Sequence, residues 1–276
     1  MNLTNDLPIP FRGDPSKRRS WPLSIATLLT YLFLYLPLVV VILYSFSSTK
    51  VNKWPIKGFS LRWYEELFHD SDIWDAIRLS VFVGLVAAAI AVVLGTLTAY
   101  ALDRYRFRAK AAVRFAIGLP IVLPGIVTGV AMLSFFSLMA FPLSNWTIII
   151  GHATFCTVLV VNNVAARLSQ LPRSLDEASL DLGATPVQTF RRITFPLVRP
   201  AIVAGAILSF TLSFDEIIVT FFLTGRDKTL PLLIWGRLRM GISPEINATA
   251  TIIILTSLAL VLLAAAILRR SGQRIF

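Results

Sequence analysis

Six long apolar runs constrain the fold of this 276-residue chain more than any other feature of its sequence. Five of the runs carry no charged residue, and each is roughly 20 residues or longer, enough to cross about 30 Å of hydrocarbon as an α-helix. Charged residues make up only 15% of the chain, against roughly a quarter in soluble domains. The sequence therefore predicts an all-α integral membrane protein with six transmembrane helices: Leu23–Phe46, Leu79–Leu102, Phe115–Phe141, Thr147–Ala166, Ala201–Thr224 and Ile246–Leu268.

The distribution of positive charge predicts the orientation. Most of the 26 Lys and Arg residues lie in the N-terminal tail, after the second and fourth runs, and in the C-terminal tail. Cytoplasmic loops attract Lys and Arg, so both termini are predicted to lie inside the cell. We expect residues 1–20 to form a cytoplasmic tail, residues 21–276 a single membrane domain, and the first run an uncleaved anchor. The same rule explains the net charge of +11 without nucleic acid, since no basic stripe is interleaved with aromatic residues.

A polar block with the sequence EASLDLGATPVQTFRRITFP lies between the fourth and fifth runs. Ser174, just before it, and Glu177 have capping-box spacing, which predicts a short helix from Leu175. Gly183 follows as a C-terminal cap, because glycine adopts the left-handed backbone that most residues resist.

A second short helix is predicted from Pro186 to Ile193, since proline fits the first helical turn. Pro196 and Pro200 are expected to end this helix and to return the chain to the membrane. On this pattern alone, a capped amphipathic loop that rests on lipid headgroups explains the block as well as a docking element does.

The block resembles the signature loop of binding-protein-dependent ABC importer permeases, whose pattern is E-A-A, three residues, G, nine residues and I-x-L-P. Ser179 replaces the second alanine and Phe195 replaces the leucine, and both replacements keep the size or the apolar character. The other positions match in identity and spacing: Glu177, Ala178, Gly183, Ile193 and Pro196.

This resemblance implies a type I ABC importer permease fold with a coupling helix between helices 4 and 5, in loop 167–200. In that family the coupling helix sits in a groove of a cytoplasmic ATPase. Glu177 would cap the helix and meet the ATPase surface. Ala178 and Ser179 would be small enough to enter the groove, and Gly183 would make the turn. The implied partners are two ATPase subunits, a second homologous permease, an extracytoplasmic solute-binding protein and membrane lipid.

The resemblance also implies a transport subunit that is not an enzyme and holds no cofactor. ATP and Mg would be bound by the partner ATPase subunits, and this chain has no G-x-x-x-x-G-K-[ST] loop. His69 and His152 lack metal-ligand spacing, so no metal site is predicted. His152 is interpreted as a hydrogen-bonded helix residue.

Further stretches resemble the second permease subunit of spermidine/putrescine importers, which implies a bacterial inner membrane protein that imports polyamines by alternating access. Permeases for opines, aminophosphonates and other small solutes share these stretches in part. A stand-alone secondary carrier is the other alternative, and it would show repeat-related halves or paired broken helices. The stretches are Gly58–Phe68, Arg104–Lys110, Ser213–Gly225 and Leu230–Ile252.

Asp215 and Glu216 lie inside the fifth run, where an ionisable residue costs roughly 2.5–3.5 kcal/mol on insertion scales. Neighbours on a helix point about 100° apart. One carboxylate is therefore expected to line the translocation path in the outer half of the helix, and the other to pair across an interface. On the path it would attract a cationic amine, with cation–π contacts from Phe214 and Trp235. The alternative is that both carboxylates pair with Arg or Lys and serve packing alone.

Pro120 and Pro124 lie within the segment GLPIVLPG of the third run. Each proline frees a backbone carbonyl and kinks its helix. This segment is the predicted hinge of the protein, with a static kink as the alternative.

Overall fold

Helices make up nearly all of the regular structure in the computed structural model, which describes residues 21–241 and 243–270. The prediction of an all-α protein is confirmed over this part of the chain. In chain order the elements are α1 (Trp21–Ser45), α2 (Arg62–His69), α3 (Ser71–Arg104), α4 (Lys110–Val122), α5 (Gly125–Leu138), α6 (Asn145–Leu168), α7 (Ser174–Asp181), α8 (Pro186–Thr189), a π-helix (Phe190–Thr194), α9 (Phe195–Asp215), α10 (Ile218–Leu223), α11 (Leu230–Arg239) and α12 (Pro244–Arg270).

The described residues divide into two compact units. In the first unit, α1 packs against α12. The hydroxyls of Thr27 and Thr30 in α1 donate to carbonyl oxygens one turn earlier, at 2.7 and 2.9 Å, so both are satisfied within the helix, as a lipid-facing surface requires. The second unit begins at Glu66 and contains α3 to α11. The predicted membrane domain thus includes both units, and the predicted N-terminal tail lies outside the described residues.

Three helices, α3, α6 and α9, form the core of the second unit. The first of them, α3, has 34 residues, a length of about 51 Å at 1.5 Å per residue. Its buried positions recur every three or four residues and are mostly small, which lets neighbouring helix backbones approach closely. The small residues of this face are Ala76, Ser80, Gly84, Ala87, Ala88, Ala91, Gly95 and Ala99.

Several of the predicted crossings correspond to single helices. Within the described residues, four helical stretches are long and apolar enough to cross a membrane: α1, α3, α6 and the continuous run Pro186–Asp215. The bent pair α4 and α5 would supply a fifth crossing if it counts as one span. The sixth predicted run lies inside α12.

The third predicted run is not one helix. α4 and α5 meet at an angle of 109°. Leu123 and Pro124 between them both leave the helical region of the backbone, with ψ of 140° and 137°. A residue that precedes proline is pushed away from the helical region, and proline itself lacks the N–H that would continue the ladder. The predicted proline distortion is therefore a full break.

The fifth predicted run is broken as well. The helix that contains it ends at Asp215, and Glu216 takes an extended backbone (φ −75°, ψ 122°). The short helix α10 follows and packs against α5 and α6. Gly151 of α6 permits this approach, because a Cβ there would collide with Leu223. The prediction of a continuous helix through Asp215 and Glu216 is wrong, and both residues lie at a helix break.

The close approach of α3 to α6 predicts that Gly95→Ala destabilises the protein. A Cβ at Gly95 would lie 2.7 Å from Val160 Cβ and 3.1 Å from the carbonyl oxygen of Thr157, and neither atom can rotate away. Overpacking of this kind costs typically about 1–3 kcal/mol, so the detergent-solubilised variant should aggregate at a lower temperature in a thermal ramp. Gly118→Ala is the matched control, since a Cβ there meets nothing within 4 Å. Equal transition temperatures for the two variants would contradict this account of the packing.

Candidate coupling and translocation sites

The polar block after α6 forms a compact helix pair, and its first helix begins one residue before the predicted start. Arg173 is the N-cap of α7 and makes no side-chain capping bond. The predicted capping box of Ser174 and Glu177 is therefore wrong. Because the helix begins at Ser174, its third position is Asp176, whose carboxylate is engaged with other residues, and Glu177 is exposed.

Gly183 ends α7 as predicted. Its φ is +85°, in the left-handed region that favours glycine. The Gly183 N–H donates to the Leu180 carbonyl at 2.9 Å, and the Ala184 N–H donates to the Ser179 carbonyl at 3.1 Å. This pair of bonds is a Schellman motif, which satisfies two of the carbonyls that a helix end leaves open.

A capping box does occur in the block, at the start of α8. The Gln188 N–H donates to Thr185 Oγ1 at 3.3 Å, and the Thr185 N–H donates to Gln188 Oε1 at 2.8 Å. The two reciprocal bonds satisfy orphan donors at this helix terminus. Pro186 then occupies the first helical turn, as predicted.

The second helix of the block does not end at Pro196, and that prediction is wrong. A π-turn shifts the backbone ladder by one residue, so that the Phe195 N–H donates to the Phe190 carbonyl. Pro196 consequently falls in the first turn of α9, where a missing N–H is tolerated. The Phe190 ring packs edge-on against Tyr100 of α3, with centroids 4.9 Å apart.

Asp176 joins the block to the end of α3. Its Oδ2 lies 2.7 Å from Arg104 Nε, and its Oδ1 accepts a bond of 3.0 Å from Thr194 Oγ1. Arg104 also pairs with the Asp103 carboxylate at 2.9 Å, and Arg173 Nη2 donates to the Asp103 carbonyl at 2.8 Å. We call these five residues the brace. The Arg104 and Asp176 side chains are only 10% and 15% exposed, so water screens this pair less than a surface ion pair.

Another set of side chains of the block is exposed. Glu177 and Ala178 are exposed on α7. Leu182 and Val187, on either side of the turn at Gly183, are 89% and 74% exposed. The four exposed side chains, Glu177, Ala178, Leu182 and Val187, constitute what we call the outer face of the block, and they combine one carboxylate with apolar surface.

The remaining residues of the predicted coupling set have different surroundings. Ser179 is only 8% exposed, and its hydroxyl lies 3.0 Å from that of buried Thr189, so its small size lets α7 pack against α8 within this chain. Ile193 is half-buried in the π-helix, and Pro196 is exposed. The coupling roles of the predicted residues stay predictions.

The two carboxylates of the helix break have separate environments. Glu216 Oε1 accepts bonds from the backbone N–H groups of Ile218 and Val219, at 2.8 and 3.0 Å, so Glu216 caps α10. Asp215 is exposed, and its carboxylate makes no hydrogen bond or ion pair within residues 21–241 and 243–270. The break therefore presents one occupied and one open carboxylate.

The two aromatic residues predicted near the path differ in their contacts. Phe214 is half-buried and its ring lies 5.9 Å from that of Phe210 on the same helix. Trp235 lies on α11, where the guanidinium of Arg239 sits 5.3 Å from its ring centroid. The Trp235 ring thus already engages a cation of its own helix.

His152 of α6 is hydrogen-bonded, as predicted. Its Nδ1 lies 2.7 Å from Ser213 Oγ, and its Nε2 lies 2.9 Å from Thr220 Oγ1. The imidazole therefore joins α6 to both helices that flank the break at Glu216.

At the start of α3 and α6, the second unit contains a cavity of about 620 Å³. Its lining mixes both signs of charge, with Asp72, Asp75 and Asp227 near Arg226 and Lys228. The cavity lies at the opposite end of α3 from the brace.

The fold and the block together define a class of protein: a multi-helical membrane component with a capped, partly apolar helix pair braced against its core. The chain belongs to the family described as binding-protein-dependent transport system inner membrane components, which matches residues 91–276. It is therefore a transport permease of the inner membrane.

Two relatives match most of this chain. One is the putrescine transport system permease protein PotI of Escherichia coli (strain K12), 41% identical over 250 residues, which are 87% of this chain and 88% of the relative. The other is the spermidine/putrescine transport system permease protein PotC of Haemophilus influenzae, 39% identical over 245 residues, 88% of this chain and 95% of the relative.

Solved structures share the fold at low identity. A bacterial ABC transporter involved in the import of the acidic polysaccharide alginate matches with a TM-score of 0.69 and 17% identity, covering 94% of this chain and 99% of that chain. The inward-facing MetNI methionine ABC transporter matches with a TM-score of 0.58 and 17% identity, covering 78% of this chain and 100% of that chain.

The brace predicts that Asp176→Asn loosens the block. Breaking a buried ion pair costs on the order of 3 kcal/mol. Most of this cost should appear as a lower free energy of local unfolding around α7. Hydrogen exchange at the α7 amides should therefore be faster in the purified variant than in the wild-type protein. Asp181→Asn, an exposed neutralisation on the same helix, is the control and should leave exchange unchanged. Exchange at the wild-type rate in Asp176→Asn would refute the brace.

Proposed function

We propose that this chain is a transmembrane permease subunit of an ABC importer that moves a polyamine such as putrescine or spermidine across the inner membrane. One observation carries the proposal: two relatives named for these substrates are 41% and 39% identical over 87% and 88% of the chain. At this coverage, both matched regions must include the break at Asp215 and the polar block.

The proposed topology has six crossings with both termini in the cytoplasm. It is supported by the positive charges at the α3–α4 connection and in the polar block, since such segments favour the cytoplasm. In this topology α4 and α5 form one broken crossing, the run Pro186–Asp215 with α10 forms another, and α12 is the last.

The polar block couples this permease to a partner ATPase. The outer face offers a carboxylate and three exposed apolar side chains to such a partner, and the brace links the same block to α3 and the π-helix. A force on α7 would pass through Asp176 into the core helices. ATP and Mg would be bound by two ATPase subunits, because the sequence of this chain has no Walker loop.

A second, similar permease completes the path, and an extracytoplasmic binding protein delivers the substrate. The mixed-charge cavity at the start of α3 is the proposed contact region for that protein, since both signs of charge support register in a docked complex. ATP-driven closure of the motors would rock the crossings between outward-facing and inward-facing states, a rigid-body rotation about an interface. The break at Leu123 and Pro124 is the proposed hinge, together with Pro120, which lies inside α4 just before it.

Asp215 is the proposed substrate-binding carboxylate of the path. Its neighbour Glu216 caps α10 through two backbone amides, whereas the Asp215 carboxylate is exposed. A carboxylate stabilises a cation that lies within a few Å, and it does so most strongly where little water screens the two charges. A multiply charged amine is the solute class that benefits.

Glu177→Lys should uncouple the transporter. The substitution replaces a carboxylate of the outer face with a cation. A reversed charge in a desolvated contact strongly weakens the affinity for a partner whose surface complements the original charge. In the assembled transporter, the stimulation of ATPase activity by the substrate-loaded binding protein should be lost. Ser169→Lys, which adds a cation to the same loop outside α7, should retain stimulation. Full stimulation in Glu177→Lys would remove the coupling role of the block.

Asp215→Asn should weaken polyamine uptake while leaving assembly intact. A hydrogen bond to a charged group contributes about 1.5–3 kcal/mol, so KM for labelled putrescine should rise at least about ten-fold. Asp215→Glu keeps the charge and should retain more uptake. Unlabelled spermidine should compete in the wild-type transporter and 2-aminoethylphosphonate should not. Competition by the phosphonate alone would overturn the proposed substrate, and an unchanged KM in Asp215→Asn would assign this carboxylate to packing.

A further inference from the structure

His152 occupies a fully buried position in α6, and its hydrogen bonds span the helix break. Ser213 lies in the last turn of α9, before the break, and Thr220 lies in α10, after it. Both hydroxyl residues are buried, at 3% and 0% exposure. One imidazole from a neighbouring helix therefore holds the two sides of the break at a fixed separation.

The direction of these hydrogen bonds follows from the number of protons in the network. Thr220 Oγ1 donates its single proton to the carbonyl oxygen of Glu216 at 2.9 Å, so it must accept at its contact with His152. Nε2 of His152 is consequently the donor, and Nδ1 of the neutral ring accepts from Ser213. A neutral ring suits this fully buried site, because both partners are uncharged hydroxyls. The chain of bonds runs in one direction and ends on Glu216.

Glu216 is thereby fixed through both its backbone carbonyl and its side chain. Thr220 binds its carbonyl, and the N–H groups of Ile218 and Val219 bind its carboxylate. The backbone of Glu216 leads directly into Asp215, whose own carboxylate is exposed. The orientation of the open carboxylate thus depends on how firmly its neighbour is fixed.

We propose that His152 is a positioning residue for translocation, which fixes the break between α9 and α10 through Thr220 and so aims the Asp215 carboxylate along the path. This inference rests on the proposed function. This role differs from packing, because the orientation of the Asp215 carboxylate would depend on one hydrogen bond, from His152 to Thr220, and not on the volume of the ring.

A second contact between α6 and α9 makes the inference testable without unfolding the protein. Cys156 Sγ donates to the Ser209 carbonyl at 3.3 Å, and Ser209 Oγ donates to the Cys156 carbonyl at 3.2 Å. These bonds lie one turn away from His152 along both helices. They keep α6 and α9 together when the contact between His152 and Thr220 is removed.

The decisive variants are Thr220→Val and a pair of substitutions at His152. Valine matches threonine in shape but cannot accept the bond, so KM for labelled putrescine should rise about five-fold, the equivalent of one hydrogen bond, at an unchanged maximal rate. Thr220→Ser restores the hydroxyl and should restore KM. His152→Gln places an amide N–H near the position of Nε2, whereas His152→Asn reaches only the position of Nδ1. Gln should therefore retain a lower KM than Asn.

Thr211→Val is the matched control. Its hydroxyl donates to the carbonyl of Ile207 within α9, at 2.9 Å, so its loss should leave KM unchanged. An unchanged KM in Thr220→Val, or equal KM values for the Gln and Asn variants of His152, would overturn the positioning role.

A readout that needs no substrate separates this inference from the proposed function. With Asp215→Cys as a reporter, a water-soluble maleimide should label residue 215 at a different rate when Thr220→Val is added, and at the original rate when Thr220→Ser is added. Buried Cys156 gives little background, since it is 0% exposed. Identical rates in all three proteins refute the positioning role. If the labelling rates differ as expected but the wild-type transporter fails to take up polyamines, only the proposed substrate is refuted.

Discussion

Close packing of α3, α6 and α9 is the constraint on which the rest of the second unit depends. Lipid tails are as apolar as helix surfaces, so helices in a bilayer gain little from hydrophobic burial and must approach closely enough for dispersion contacts. The small face of α3 permits that approach, and a Cβ added at Gly95 would collide with Val160 of α6. Polar groups inside the unit then need partners from the protein itself, which explains the buried pairs of Ser209 with Cys156 and of His152 with Ser213.

The same three helices connect the two candidate sites. At one end, Arg104 of α3 and Thr194 of the π-helix hold Asp176 of the polar block. Further along, His152 of α6 bonds to both flanks of the break in which Asp215 lies. A rigid core between the braced α7 and the hydrogen-bonded break is a physical basis for the proposed coupling, because interfaces of packed helices move as units and do not deform continuously.

The fold alone does not select a substrate. Structures with 17% identity and the same fold come from transporters whose descriptions name an acidic polysaccharide and methionine, whereas the relatives near 40% identity are named for putrescine and spermidine. Chemical selection must therefore depend on individual side chains on the scaffold. Of the two adjacent carboxylates, Glu216 accepts hydrogen bonds from the backbone of α10, which leaves the exposed Asp215 as the carboxylate available to a solute.

The sequence by itself determined the class of the fold, the approximate position of each apolar run and the turn at Gly183, because hydropathy, length and the left-handed preference of glycine act locally. It also located the polar block through its residue spacing. Only the tertiary structure decided where α4 gives way to α5, that the helix runs through Pro196, and that Asp215 and Glu216 lie at a break. It alone showed Asp176 against Arg104 and His152 against Thr220, since these partners are far apart in the chain and no local propensity encodes their meeting. Tertiary packing settled these features because a buried polar group takes whichever partner the assembled helices bring within reach.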